Sequence, residues 1–223
     1  MNMKERKKGL LLAAGMFALA MGLFAFFIMR GKEPAPAPEE PKTQGEQTST
    51  DRSDALSRAQ SENADVTGWL LLPGAEIDDP VVQAADNEYY LRRTWEREED
   101  VWGCYFLDYE CHAKTQQALD PVTIIYGHSI GDDPEGERFS RLKRYRDEVF
   151  CKENPCIILQ LSDGPVQYEV FAAGEVPVSL NYLDPDPEKD VYEALLAALR
   201  GASDQAFQEV DVSAEDQVLI LST

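Results

Sequence analysis

The chain has 223 residues, 43% of them hydrophobic, and a formal net charge of −20 at pH 7. That is enough for one domain of ordinary size with a buried core once the amino-terminal segments are set aside. Residues 1–29 hold four basic residues and one acid, so the remainder carries 17 basic against 40 acidic residues, net −23, which argues against binding to nucleic acid.

Lys4, Arg6, Lys7 and Lys8 precede 21 uncharged residues, Gly9 to Met29. An apolar run of that length suits an α-helix crossing the hydrocarbon layer, with the basic residues on the cytoplasmic side. A cleaved secretory signal competes with this reading, but the run is long for one and no small-x-small site follows it directly. Residues 30–50 are rich in Pro and then in Thr, Gln and Ser. They lack the large apolar groups that offset ordering entropy and read as an extended extracellular spacer. The expected organisation is a tail at 1–8, an anchor at 9–29, a linker at 30–50 and one extracellular domain at 51–223.

Asp51 to Glu62 can form a polar helix, followed by an apolar strand at Trp69 to Leu72 and a Pro73-Gly74 turn. Pro80 to Gln83 is a short strand. Asp86 can cap a helical turn from Asn87 to Arg92 that sets Tyr90 and Leu91 inward. Gly103 to Leu107 and Val122 to Tyr126 are β-rich runs separated by a polar loop, and the second leads into Gly127-His128. Phe139, Leu142 and Tyr145 lie at helical spacing and predict a helix over 138–147 with Phe139 and Leu142 in the core.

Cys156 to Leu161 and Val166 to Phe171 flank Asp163-Gly164, a hairpin signal, and Val166, Tyr168 and Val170 alternate with Gln167 and Glu169. Asp186-Pro187 predicts a helix start, with Val191, Tyr192, Leu195, Leu196 and Leu199 forming one apolar stripe that ends before Gly201. Gln217 to Leu221 is a last buried strand. Many strands with few helices predict a mainly β, closed or partly closed barrel.

The four cysteines, Cys104, Cys111, Cys151 and Cys156, fall in the extracellular part. An even count permits disulfides in an oxidising compartment, and spacing leaves three connectivities open. Cys104 and Cys156 sit in apolar runs and read as buried, inert thiols. Cys111-His112 lacks the paired Cys-x-x-Cys spacing of structural zinc sites, so no metal is expected, and His112 reads as a loop residue.

Tyr126-Gly127-His128 at one strand end and Leu221-Ser222-Thr223 at another resemble the two active-site strands of sortases, the membrane-anchored cysteine transpeptidases of Gram-positive surfaces. Class B is the best fit. Asn63 to Trp69, Ile77 to Gln83, Asp86-Asn87-x-x-Tyr90-Leu91, Gly103-x-x-Phe106-Leu107-Asp108 and Phe139-x-x-Leu142-x-x-Tyr145 follow in the family's order, and the helix near 187–200 is a class B trait. Departures are Ser129 where Asn is usual, a longer loop at Gly131 to Glu137, and Ile220 in place of Thr.

The resemblance implies a mainly β, closed barrel with a few peripheral helices behind one transmembrane helix. It implies cleavage of a sorting signal at the carboxyl end of surface proteins, and transfer of the acyl group to a cell-wall precursor or pilin amine, with no cofactor. A thiol forms the covalent intermediate, an imidazole protonates the departing amine and deprotonates the incoming one, and a guanidinium holds the oxyanion. His128 would be the acid/base, while Asn87, Leu91, Tyr126 and Ser222 match positions lining the sorting-signal groove. The family's Cys would follow Thr223, and its Arg would stand on a further strand. The chain as given is therefore expected to be a fragment, inactive, with an exposed strand edge at 217–223. The alternative is a tethered binder of sorting signals that does not cleave them.

Overall fold

The computed structural model describes residues 25–32, 51–203 and 210–223. Eight strands make the barrel: β1 (Ala25–Lys32), β2 (Val66–Leu72), β3 (Ile77–Val82), β4 (Tyr105–Leu107), β5 (Val122–Tyr126), β6 (Cys156–Leu161), β7 (Gly164–Glu175) and β8 (Val218–Ser222). Their order round the closed ring is β1-β7-β6-β2-β3-β4-β5-β8. The β3·β4 and β5·β8 pairs are parallel and the others antiparallel. The expected mainly β, closed barrel is thus present.

Among the described residues the α-helices are α1 (Ser53–Glu62), α2 (Glu148–Glu153) and α3 (Lys189–Ala202). Short 3-10 segments include Tyr89–Arg92 and Phe139–Arg146, so the helix expected over 138–147 has the tighter winding. Its Phe139, Leu142 and Tyr145 are fully buried against the barrel. Asp86 caps the Tyr89–Arg92 turn as its chemistry suggests, accepting from the Glu88 and Tyr89 N–H groups at 2.9 Å each.

Among the described residues two apolar clusters hold the structure. Leu70, Ile77, Val81, Ile125, Ile157, Tyr168, Leu219 and Leu221 share one face of the barrel wall, and Tyr192, Leu195, Leu196 and Leu199 of α3 belong to the same cluster. Each such fully buried side chain contributes about 1.5–3 kcal/mol by leaving water. Outside the barrel wall, Leu56 and Ala59 of α1 pack with Val66, Val82, Tyr90, Cys104 and Phe106. Arg52, at the start of α1, fixes that helix to β3 by donating from Nε and Nη2 to the two Asp78 oxygens at 2.7 Å each. Those bonds hold the Asp78 carboxyl below its usual range.

Several expectations need correction. Residues 25–29, read as the end of a membrane helix, and 30–32, read as linker, form β1 instead. Ala25 to Lys32 pairs with Glu175 to Gln167 of β7, and Phe27 to Arg30 pairs with Leu221 to Val218 of β8. The aromatic and β-branched residues Phe26, Phe27 and Ile28 suit a strand, and the pairing occupies the open edges of β7 and β8. The edge expected at 217–223 is therefore covered. Residues 1–24 and 33–50, which hold most of the expected anchor and linker, lie outside the described residues. Among the described residues no helix is long and apolar enough to cross a membrane.

Helix α3 starts at Lys189 with no side-chain cap rather than at Asp186-Pro187. It runs through Gly201, and Val191 faces water while the rest of its stripe is buried. All four cysteines are free, and Cys156 is half-buried rather than enclosed.

Candidate active site

One rung of the barrel organises the site. Val82 pairs with Phe106, Phe106 with Tyr126, and Tyr126 with Ser222. Four strands therefore deliver their ends to one place, and the two that the motifs singled out, β5 and β8, are parallel neighbours there. The register continues beyond the strands, since the Gly127 N–H donates to the Ser222 carbonyl at 3.0 Å. His128 and Thr223 thus leave the sheet side by side. Gly127 is required by space: a Cβ there would lie 2.7 Å from ring atoms of both Phe139 and Tyr105, rings that stack 4.7 Å apart.

Tyr126 lies against Phe106, centroids 5.2 Å apart, and its hydroxyl donates to Asp108 Oδ2 at 2.8 Å. Asn87 Nδ2 donates to the same oxygen at 2.8 Å, while its Oδ1 accepts the Tyr109 N–H at 3.0 Å. Asp108 is 4% exposed, and its other oxygen accepts the Glu110 N–H at 2.9 Å. Two of the expected groove residues are therefore oriented by one buried carboxylate. Burial, and then the Asp108 charge, push the Tyr126 phenol far above its usual range, so it stays a donor.

Ser222 Oγ lies 3.2 Å from the Tyr182 hydroxyl, which brings the segment between β7 and α3 over the end of β8. Leu91 is half-buried and packs, like Tyr126, against the cluster containing Phe106. All four expected groove residues thus border the wall formed by the rung. A cleft of about 480 Å³ lies to one side, lined by Glu110, Asn181, Leu183, Asp184 and Pro185; none of the expected groove residues lines it.

His128 is half-buried. Burial and the Arg92 and Arg138 guanidiniums push its imidazole below the usual range, opposed by the Trp102 main chain and by Asp100. At neutral pH it is an uncharged base. The longer loop after it is fastened rather than loose. Lys143 donates to Ser129 Oγ at 2.9 Å and to the Gly131 carbonyl, Arg144 to the Pro134 carbonyl and Glu135 at 3.2 and 2.7 Å, and Arg141 to the Gly136 carbonyl at 3.0 Å.

None of the four thiols stands in the Tyr126–Ser222 rung. Burial pushes Cys104, Cys111 and Cys151 up to about 12, where a thiol is no nucleophile. His112 is in a loop, 75% exposed and 3.3 Å from Asp120.

Sequence reasoning missed the roles of Asp108, Trp102 and Tyr182. Asp108 was visible as the end of the Gly103-x-x-Phe106-Leu107-Asp108 motif, although nothing local said that Asn87 and Tyr126 would converge on it. Tyr182 sits in a polar connection with no periodic signal.

No family model matches the chain. Sortase B of Listeria monocytogenes serovar 1/2a is 33% identical over 171 residues, 76% of this chain and 67% of that protein. Sortase B of Staphylococcus aureus strain NCTC 8325 is 32% identical over 162 residues, 72% of this chain and 64% of that protein. The chain spans about two thirds of the length of these relatives. A solved Staphylococcus aureus sortase B–substrate complex matches the fold with a TM-score of 0.67 at 27% identity, over 76% of each chain. The chain belongs to the class B sortases, a family of cysteine transpeptidases.

Proposed function

We propose that this chain is the scaffold of a class B sortase that cleaves a sorting signal and transfers the new acyl end to a cell-wall or pilin amine. The carrying observation is the parallel register Tyr126–Ser222 with the Gly127-to-Ser222 hydrogen bond, which sets the imidazole-bearing end beside the residue after which the family's thiol stands. That a relative has been solved with substrate supports a peptide as ligand. Asn87, Leu91, Tyr126 and Ser222 are its expected contacts.

In the proposed reaction the His128 imidazole takes the thiol's proton as the sulfur attacks the scissile carbonyl, and an oxyanion forms, held by the guanidinium. Collapse gives a thioester as the departing amine takes a proton from the His128 imidazolium. An acceptor amine then attacks the thioester, gives its proton to the imidazole, and the thiolate leaves. Thiol and guanidinium would come from residues that the family pattern places beyond Thr223.

The test is to extend the chain with Cys and then a strand bearing Arg, and to assay transfer of sorting-signal peptides to an amine. Transfer should appear, vanish in His128→Ala and persist in His112→Ala. Near-normal transfer by the extended His128→Ala variant would overturn the reading.

We also propose a single-pass membrane anchor at 9–29 with the amino terminus in the cytoplasm. Residues 9–24 alone would make a helix of about 24 Å, short of a hydrocarbon core of about 30 Å. In the anchored state residues 25–29 would therefore leave β1 for the span. Recovery of the chain in an alkali-resistant membrane fraction supports the anchor, and recovery in the soluble fraction refutes it.

A further inference from the structure

His128 has a neighbour to which the proposed reaction assigns no part. Trp102 lies on the connection between the Tyr89–Arg92 turn and β4, 42% exposed. Its indole stands edge-on to the imidazole, with centroids 6.2 Å apart and planes at 72°. Its main chain also faces the ring and favours the protonated imidazole. A half-exposed indole on a loop keeps such a position only if the loop itself is held.

Asp100 holds it. Its Oδ1 accepts the Trp102 N–H at 2.8 Å, its carbonyl accepts the Gly103 N–H at 3.2 Å, and its own N–H donates to the Arg92 carbonyl at 3.1 Å. The turn needs Gly103, which has a φ of 57° and whose Cβ would stand 2.4 Å from the Tyr90 carbonyl oxygen. Arg92 adds a bond from Nη1 to the Val101 carbonyl.

The turn is also tied to the chain leaving His128. Arg138 closes that loop through a bridge to Ser129, the Phe139 N–H donates to the His128 carbonyl at 3.0 Å, and Arg138 Nη2 donates to Asp100 Oδ2 at 3.3 Å. Its guanidinium also stands 5.9 Å from the centre of the Tyr105 ring. Segments separated by 38 residues are thus joined across the imidazole by one carboxylate.

We infer that Asp100, clamped by Arg138, is a positioning residue that holds Trp102 against His128 and so fixes how the imidazole faces the sorting-signal groove. The inference rests on the reading of His128 as the acid/base. A general acid/base must present one defined nitrogen to the reacting atoms, and an indole edge held against the ring limits how that ring can turn. The indole edge limits access of water to the same ring. The charges facing His128 come from three segments: Arg92 from the 3-10 turn, Asp100 from the Trp102 loop and Arg138 from the end of the loop that follows His128. Removing the anion and removing a cation must therefore move its titration in opposite directions.

The experiment reads the imidazole directly and needs no thiol. The chain has two histidines, so the full 223-residue protein, labelled with ¹⁵N-histidine in mild detergent, yields two sets of ring signals, with exposed His112 as internal control. The unmodified protein should show His128 ring protons displaced by the ring current of the Trp102 indole. Asp100→Asn should lower the His128 midpoint, Arg138→Gln should raise it, and Asp100→Ala should release the ring-current displacement, all with His112 unchanged. If every variant keeps the original ring-proton shifts and midpoint, the inference is wrong. Should Asp100→Ala unfold, Asp100→Asn decides, because its side-chain oxygen can still accept from Trp102. Failure here with His128-dependent transfer intact in the extended enzyme would sink the positioning role alone. The expected shifts without such transfer would sink the sortase reading alone.

Discussion

Asp108 offers a quantitative test of how the groove is built. Its Oδ2 receives the Tyr126 hydroxyl and the Asn87 amide, each at 2.8 Å, in a position almost closed to water. A hydrogen bond to a charged group contributes about 1.5–3 kcal/mol, and an abandoned buried acceptor carries its full desolvation penalty. Tyr126→Phe removes one donor without changing the ring against Phe106, and Asn87→Ala removes the other. In either single variant Oδ2 keeps one partner. In the double variant it keeps neither, so the combined loss should exceed the sum of the separate losses by about 0.5–3 kcal/mol. Urea unfolding reads this out: with a slope near 2 kcal/mol per molar, each single change should lower the midpoint by about 1 M. The peptide should lose affinity in parallel, because Asn87 and Tyr126 are its expected contacts. Single losses below about 0.5 kcal/mol that simply add would mean that water, not these side chains, satisfies Asp108.

His128 should leave a signature in the pH dependence of stability. Its folded-state value is depressed, so below the unfolded value of about 6.5 the unfolded chain binds more protons and stability falls as pH falls through that window. His128→Gln should flatten the urea midpoint between pH 7 and the depressed value, and parallel curves for both proteins would refute the assignment. The thiols give a second test. At pH 8 Cys104, Cys111 and Cys151, buried and pushed up to about 12, should resist a maleimide, while half-buried Cys156 reacts and all four react in urea. Rapid native labelling of Cys111 would contradict its enclosure.

Sequence alone determined those features that depend on neighbours a few residues apart. Asp163-Gly164 between two apolar runs specified a hairpin, and Val166, Tyr168 and Val170 turned inward because side chains alternate along a strand. Asp86 capped its turn because a short carboxylate reaches N–H groups two and three residues on. The same local signals misplaced the start of α3 and buried Val191 on paper, since the barrel surface, not the Asp186-Pro187 pair, decides where packing begins. The ordered motifs named His128 and its four expected companions. They left unspecified which groups would hold these residues in place.

Only the tertiary structure decided the rest. The parallel β5·β8 pair aligns Tyr126 with Ser222 across 96 positions of chain, and β1 enters between β7 and β8 using residues 25–29, the last five of the expected membrane span. Asp108 becomes the common acceptor for Asn87 and Tyr126, and Asp100 becomes the link between the Trp102 turn and Arg138. Strand pairing of this kind is selected by closing sheet edges and by burying polar groups with partners, conditions that involve the whole barrel at once. Periodicity within a segment is set by its own backbone geometry, whereas the choice of partner strand depends on every other segment.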